Sequence, residues 1–121
     1  MEKVQGVGGL FIRSQDPKAL AKWYDEVLGI NPVPTDAETP PWMQEAGPTV
    51  FSPFAADTDY FRADRQVMMN FRVGDIDAMS AQIEAFGTSV KRLPDMEGIG
   101  KFAHLEDPEG NPIELWEPAQ T

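Results

Sequence analysis

The sequence predicts an α+β fold in which two similar half-length units, each a strand, a helix and further strands, present sheets around a shared cavity with the helices on the outer face. Three observations carry this expectation. The stretches "FIRSQDPKALAKWYDEVLG" and "NFRVGDIDAMSAQIEAFG" share one layout, an apolar strand, then Arg-x-x-Asp, then a helix-period run closed by glycine. Asp16 and Asp75 hold equivalent places in that layout. After each helix come extended patterns, "TVFSPF" and "YF" in the first copy, "KFAHLE" and "PIELWE" in the second.

The first helix is specified at both ends. Asp16 is a capping residue, Pro17 suits the first helical position, and Gly29 tolerates the left-handed conformation just past the last turn. Leu20, Trp23, Tyr24, Val27 and Leu28 recur at helical spacing as one apolar stripe. The second helix is expected from Asp75 to Gly87, with Ile76, Met79, Ile83 and Phe86 as a narrower stripe. Each helix is expected to cover its own sheet. Between the first-copy strands, "NPVPTDAETPPWMQEAGP" holds five of the eleven prolines, which lack a backbone donor, so it reads as an ordered irregular loop.

The 121 residues suit one domain, 1–121, made of units 1–62 and 63–121 that pair within a chain or between chains. A ferredoxin-like sandwich also accommodates two strand–helix repeats, but it explains the final hairpin poorly. Ten Lys plus Arg against twenty Asp plus Glu give a net charge of −10, which repels nucleic acid and anionic membrane surfaces. No cysteine is present, so disulfides and thiolate metal sites are excluded. No stretch approaches the length of an apolar membrane span, and the start lacks a signal-peptide pattern, so a cytoplasmic protein is expected. The "GVGG" near the start precedes a strand instead of opening a helix, which rules out a phosphate loop.

Alternation assigns the faces. In "VMMNFRV", Val67, Met69, Phe71 and Val73 belong under a helix, leaving Met68, Asn70 and Arg72 toward the cavity. By the repeat, Gly9, Phe11 and Arg13 face the cavity in the first strand and Leu10 and Ile12 the helix. In the last strand Ile113 and Leu115 suit the helix side and Glu114 and Trp116 the other. A five-residue loop, Asp107 to Asn111, pairs His104 with Glu114 and Phe102 with Trp116.

The paired units, the "FRVGD" start of the second copy and the "DPEGNPIEL" ending resemble the vicinal oxygen chelate superfamily, which includes glyoxalase I, fosfomycin-resistance enzymes, extradiol dioxygenases and bleomycin-resistance proteins. The resemblance implies two βαβββ modules, half-barrel sheets around a cavity, and a dimer. In metal-dependent relatives it implies ligands at positions that here hold Gly9, Met68 and Glu114. Only Glu114 is a metal donor, so no metal site and no cofactor are expected. A divalent metal at Glu114 remains the alternative.

The function expected is binding of a small amphipathic or partly anionic molecule in a metal-free cavity. Candidate contacts are Phe11, Arg13, Trp42, Met68, Asn70, Arg72, Phe102 and Trp116, with His104 and Glu114 as the candidate catalytic pair. The arginines suit surface ion pairs first and an anionic group second; the aromatics suit a pocket or a half-barrel interface; Trp42 suits a loop anchor first and a lid second. The alternative is a lyase, isomerase or dioxygenase using a metal or the His104–Glu114 pair. A third class, a ligand-free structural protein, predicts sheets that pack dry.

Overall fold

A computed structural model describes residues 1–120. Its elements are α1 (Pro17–Leu28), β1 (Met69–Arg72), α2 (Ile76–Ala85), β2 (Lys91–Arg92), β3 (Gly100–Glu106) and β4 (Pro112–Pro118). The strands form one open sheet in the order β1-β4-β3-β2, with β4 parallel to β1 and antiparallel to β3. The second unit is thus a βαβββ half-barrel.

Local chemistry sets the helix ends. The Asp16 side chain accepts the Ala19 amide at 3.1 Å, and Gly29 closes α1 at φ 76°. Asp75 accepts the amides of Asp77 and Ala78 at the start of α2. Two carboxylates from the β4 hairpin reinforce these starts: Glu109 accepts the Gln15 amide at 2.8 Å and the Ser14 hydroxyl at 2.6 Å, and Glu117 accepts the Ile76 amide at 2.9 Å. Negative charge there also opposes the positive end of each helix dipole.

The core is a single cluster. Leu20, Tyr24 and Val27 of α1 meet Ile76 and Ile83 of α2 over Met69, Ala103, Leu105, Ile113 and Leu115 of the sheet. Ile76, Ile83, Ile113 and Leu115 are wholly buried, each stabilising the fold by about 1.5–3 kcal/mol relative to exposure. Both helices therefore lie on one face of one sheet, which corrects the expectation that each covers its own. Phe86 also departs from the expected stripe, because α2 ends at Ala85 and leaves the ring exposed at the cap.

Among the described residues no strand precedes Met69. Leu10 and Ile12 are not under a helix, and Val50 and Phe51 join no ladder; all four are exposed. The physical reason is that α1 is committed to the second unit's core, so the first-unit segments have no helix of their own to cover, and an isolated strand does not hold by itself.

Candidate functional site

The β3–β4 hairpin places the central side chains. Asp107 is 4 % exposed and its carboxylate organises the loop: Oδ1 accepts the amides of Glu109 and Asn111, and Oδ2 accepts the Asn111 side-chain amide and the Tyr24 hydroxyl, both at 2.7 Å. Gly110 supplies the positive φ, 82°, that lets five residues close the turn. The resulting register pairs Glu106 with Pro112, His104 with Glu114 and Phe102 with Trp116, the pairing the turn chemistry predicts.

Combining this register with the flanking pairs gives rows across the face opposite the helices. Lys91, His104, Glu114 and Asn70 are successive neighbours on β2, β3, β4 and β1. One row further along, Phe102, Trp116 and Arg72 are neighbours on β3, β4 and β1. The open face is therefore a polar row beside an aromatic one.

Glu114 is the hub of the polar row and is 6 % exposed. Its Oε1 accepts the Asn70 side-chain amide at 2.8 Å, and its Oε2 accepts the Tyr60 hydroxyl at 2.6 Å and meets His104 Nε2 at 2.8 Å. Burial pushes its pKa up, but the hydrogen bonds from His104, Tyr60 and Asn70 and the charge of His104 together outweigh that, and the group lies below the ordinary glutamate value. The group is a carboxylate at neutral pH, so the proton between it and His104 sits on Nε2. Tyr60 is pushed the other way, up to about 12, by burial and then by its bond and proximity to Glu114. It stays a neutral donor, with its ring edge-on to His104 at 5.1 Å.

Tyr60 was not legible as a site residue. It reaches the sheet because Phe54 packs on Tyr60 and Phe61, and because Arg62 and Arg65 bond the carbonyls of Gly110 and Glu109 on the hairpin. Between this segment and the sheet is a cavity of about 540 Å³, lined by Tyr60, Arg62, Met68, Lys91, His104 and Glu106 among others. Lys91 was missed as well, since a two-residue strand is too short to display alternation.

The other candidates are distributed unevenly. Phe102 and Trp116 stand nearly parallel, 4° apart with centroids at 6.3 Å, and the Trp116 indole donates to the Ile99 carbonyl at 3.0 Å. They lie next to the cavity without lining it. Arg72 donates to the Glu45 carbonyl at 2.8 Å, a backbone partner in place of the expected carboxylate or ligand. Trp42 packs edge-on to Phe71 at 6.4 Å, beside Leu28 and Met79, so it anchors the proline-rich loop on the helix side and does not lie over the His104–Glu114 face. Phe11, 94 % exposed, and Arg13 lie on the unpaired first segment, and the chain by itself does not bring them to the cavity.

The open βαβββ half-barrel is the architecture of a small glyoxalase-like α+β module. Residues 9–116 match the family model described as a glyoxalase-like domain, and the chain belongs to that family and to the vicinal oxygen chelate superfamily. Among solved structures it is similar to TnmS3, an antibiotic binding protein from Streptomyces sp. CB03234, with 22% identity and a TM-score of 0.63 over 98% of this chain and 100% of that one. TioX from Micromonospora sp. ML1 is similar at 16% identity and TM-score 0.56, over 88% of this chain and 93% of that one. At such identities the likeness establishes the fold. No curated protein matches the chain. Among the described residues no helix is long and apolar enough to cross a membrane.

Proposed function

We propose that the chain binds a small, flat, partly aromatic molecule on the open face of its sheet without a metal, and that it does so as a homodimer. The observation that carries the reading is the adjacency of the Phe102–Trp116 pair to the cavity beneath Tyr60, an apolar surface beside a few fixed polar groups. The likeness of the fold to that of TnmS3, an antibiotic binding protein, supports a small-molecule ligand.

Donor chemistry supports the metal-free reading. Of the three positions at which metal-dependent relatives carry ligands, Gly9 has no side chain and Met68 offers a thioether that hard divalent ions disfavour. Both oxygens of the third, Glu114, already accept hydrogen bonds. The residues do not fit the ion.

Dimerisation is supported by the first-unit segments, where Val4, Val7, Leu10 and Phe11, and again Val50 and Phe51, expose apolar side chains that a lone soluble chain has reason to cover. A second copy offers sheet edges and an open face to these segments, and brings Phe11 and Arg13 toward a site they do not reach alone.

The test uses 7-methoxycoumarin as the probe. Saturable binding is expected by fluorescence titration, weakened at least about tenfold, or about 1.4 kcal/mol, by Trp116→Ala and unchanged by Phe86→Ser on the opposite face. Equal affinity in wild type and Trp116→Ala overturns the placement. One observation favours the alternative of an enzyme, the short His104–Glu114 pair, which is the geometry of a carboxylate-oriented general base. Stoichiometric metal in purified protein, lost in Glu114→Ala, would decide for a metal-dependent member of that class.

A further inference from the structure

Three of the four groups in the polar row bond one another, which leaves His104 Nδ1 and the Lys91 ammonium facing the cavity. With Nε2 of His104 donating to Glu114, an unprotonated Nδ1 is an acceptor. Nδ1 has no protein partner, nor is it buried among the described residues, and the ring lines the cavity. Lys91 stands directly opposite His104 on β2 and lines the same cavity. Cross-strand neighbours of this kind hold their Cβ atoms about 4.5–5.5 Å apart, so a lysine reaches whatever the imidazole touches.

A base whose far nitrogen is tied to a buried carboxylate, set beside an ammonium group, is suited to taking a proton and holding the anion left behind. We propose that this face captures ligands carrying a weakly acidic hydroxyl, a phenol or enol on a flat ring system, and binds them as the anion. The ligand's O–H bond breaks and an N–H bond forms at His104 Nδ1. The Nε2 proton stays in place and continues to donate to Glu114, which stabilises the imidazolium across 2.8 Å. The negative oxygen faces Lys91 and the new Nδ1 proton.

The surrounding charges permit this. Arg62 is engaged by Asp64 through two short bonds of 2.6 and 2.7 Å and by Glu106 at 3.4 Å, so the acidic Glu106 at the cavity wall is partly neutralised. Tyr60, the phenol already present, does not compete for the base, because it is pushed up to about 12 and gives its proton's hydrogen bond to Glu114. Asn70 is neutral and spent on the same carboxylate.

The inference rests on the binding reading above and adds the chemical class of ligand. Its test sets 7-hydroxycoumarin, whose ionisation changes its absorbance, against 7-methoxycoumarin, which has no proton to give. Bound 7-hydroxycoumarin is expected to ionise about one pH unit or more below the free dye, the usual scale of an adjacent opposite charge. His104→Gln should abolish the shift and Lys91→Met, at an exposed position that leaves the fold intact, should at least halve it, whereas Phe86→Ser on the opposite face should leave it whole. If 7-methoxycoumarin binds and 7-hydroxycoumarin shows no shift, or one that survives both substitutions, capture of the acidic hydroxyl is overturned and the binding reading stands. Failure of both coumarins to bind overturns the binding reading and this inference with it.

Discussion

Glu114 shows how a buried charge is kept. Taking a carboxylate out of water is unfavourable unless its oxygens are satisfied, and here Tyr60, Asn70 and His104 satisfy them. The folded state holds this group's pKa below the unfolded value of about 4.3, so the unfolded chain binds more protons in between, and stability rises with pH through that window. The contribution is complete above the unfolded value and disappears as pH falls through the lower folded one. Urea unfolding of wild type and Glu114→Gln from about pH 6 to about pH 3 should therefore give a steeper acid loss in the wild type, and parallel curves would contradict the role assigned to these donors. The pairing of His104 with Glu114 was legible in the sequence because a loop of defined length fixes register. Tyr60 was not, since it arrives from an irregular segment held by Phe54, Arg62 and Arg65, contacts that carry no periodicity.

At the scale of elements, the β3–β4 hairpin acts as a clamp. Asp107 ties the loop to α1 through Tyr24, and Glu109 holds the residues that start that helix. This gives the "DPEGNP" motif, on which the family resemblance leaned, a structural meaning: its two acids fasten the turn and the helix, and neither faces the cavity. Asp107→Ala strands a buried tyrosine hydroxyl, raised in pKa by its burial and by Asp107, along with three loop donors. At about 1–3 kcal/mol for the buried hydroxyl and less for the part-buried loop donors, which water can reach, a loss of about 3 kcal/mol in unfolding free energy is expected, read as a lower denaturation midpoint with unchanged slope. Tyr24→Phe removes a single donor and should cost about 1 kcal/mol, so equal losses from the two would refute the clamp. The helix caps Asp16, Asp75 and Gly29 were readable because capping is decided within a few residues. Which sheet α1 covers was not, because an apolar stripe states only that something must cover it.

At the scale of the molecule, the two halves of the chain behave differently although their patterns match. The second half closes its own βαβββ ladder, whereas the first lends its helix to that core and leaves its strand-like segments exposed, Phe11 at 94 % and Phe51 at 91 %. Alternation was legible in those segments; whether an edge is there to pair with is not a local property, so no sequence window contains it. The proposed dimer joins two chains of net charge −10, whose mutual repulsion opposes association while the apolar segments favour it. Salt screens the first term and leaves the second, with a Debye length falling from about 30 Å at 0.01 M to about 8 Å at 0.15 M. Sedimentation should accordingly report a species of twice the chain's mass that tightens as salt is raised, the opposite of an assembly held by ion pairs. Replacing Phe11 and Phe51 together by Asp should yield a monomer whose helical circular dichroism is retained, because neither side chain belongs to the core around Ile113 and Leu115. A wild-type monomer at every salt concentration, or a dimer indifferent to both substitutions, would leave those segments without the role argued for them.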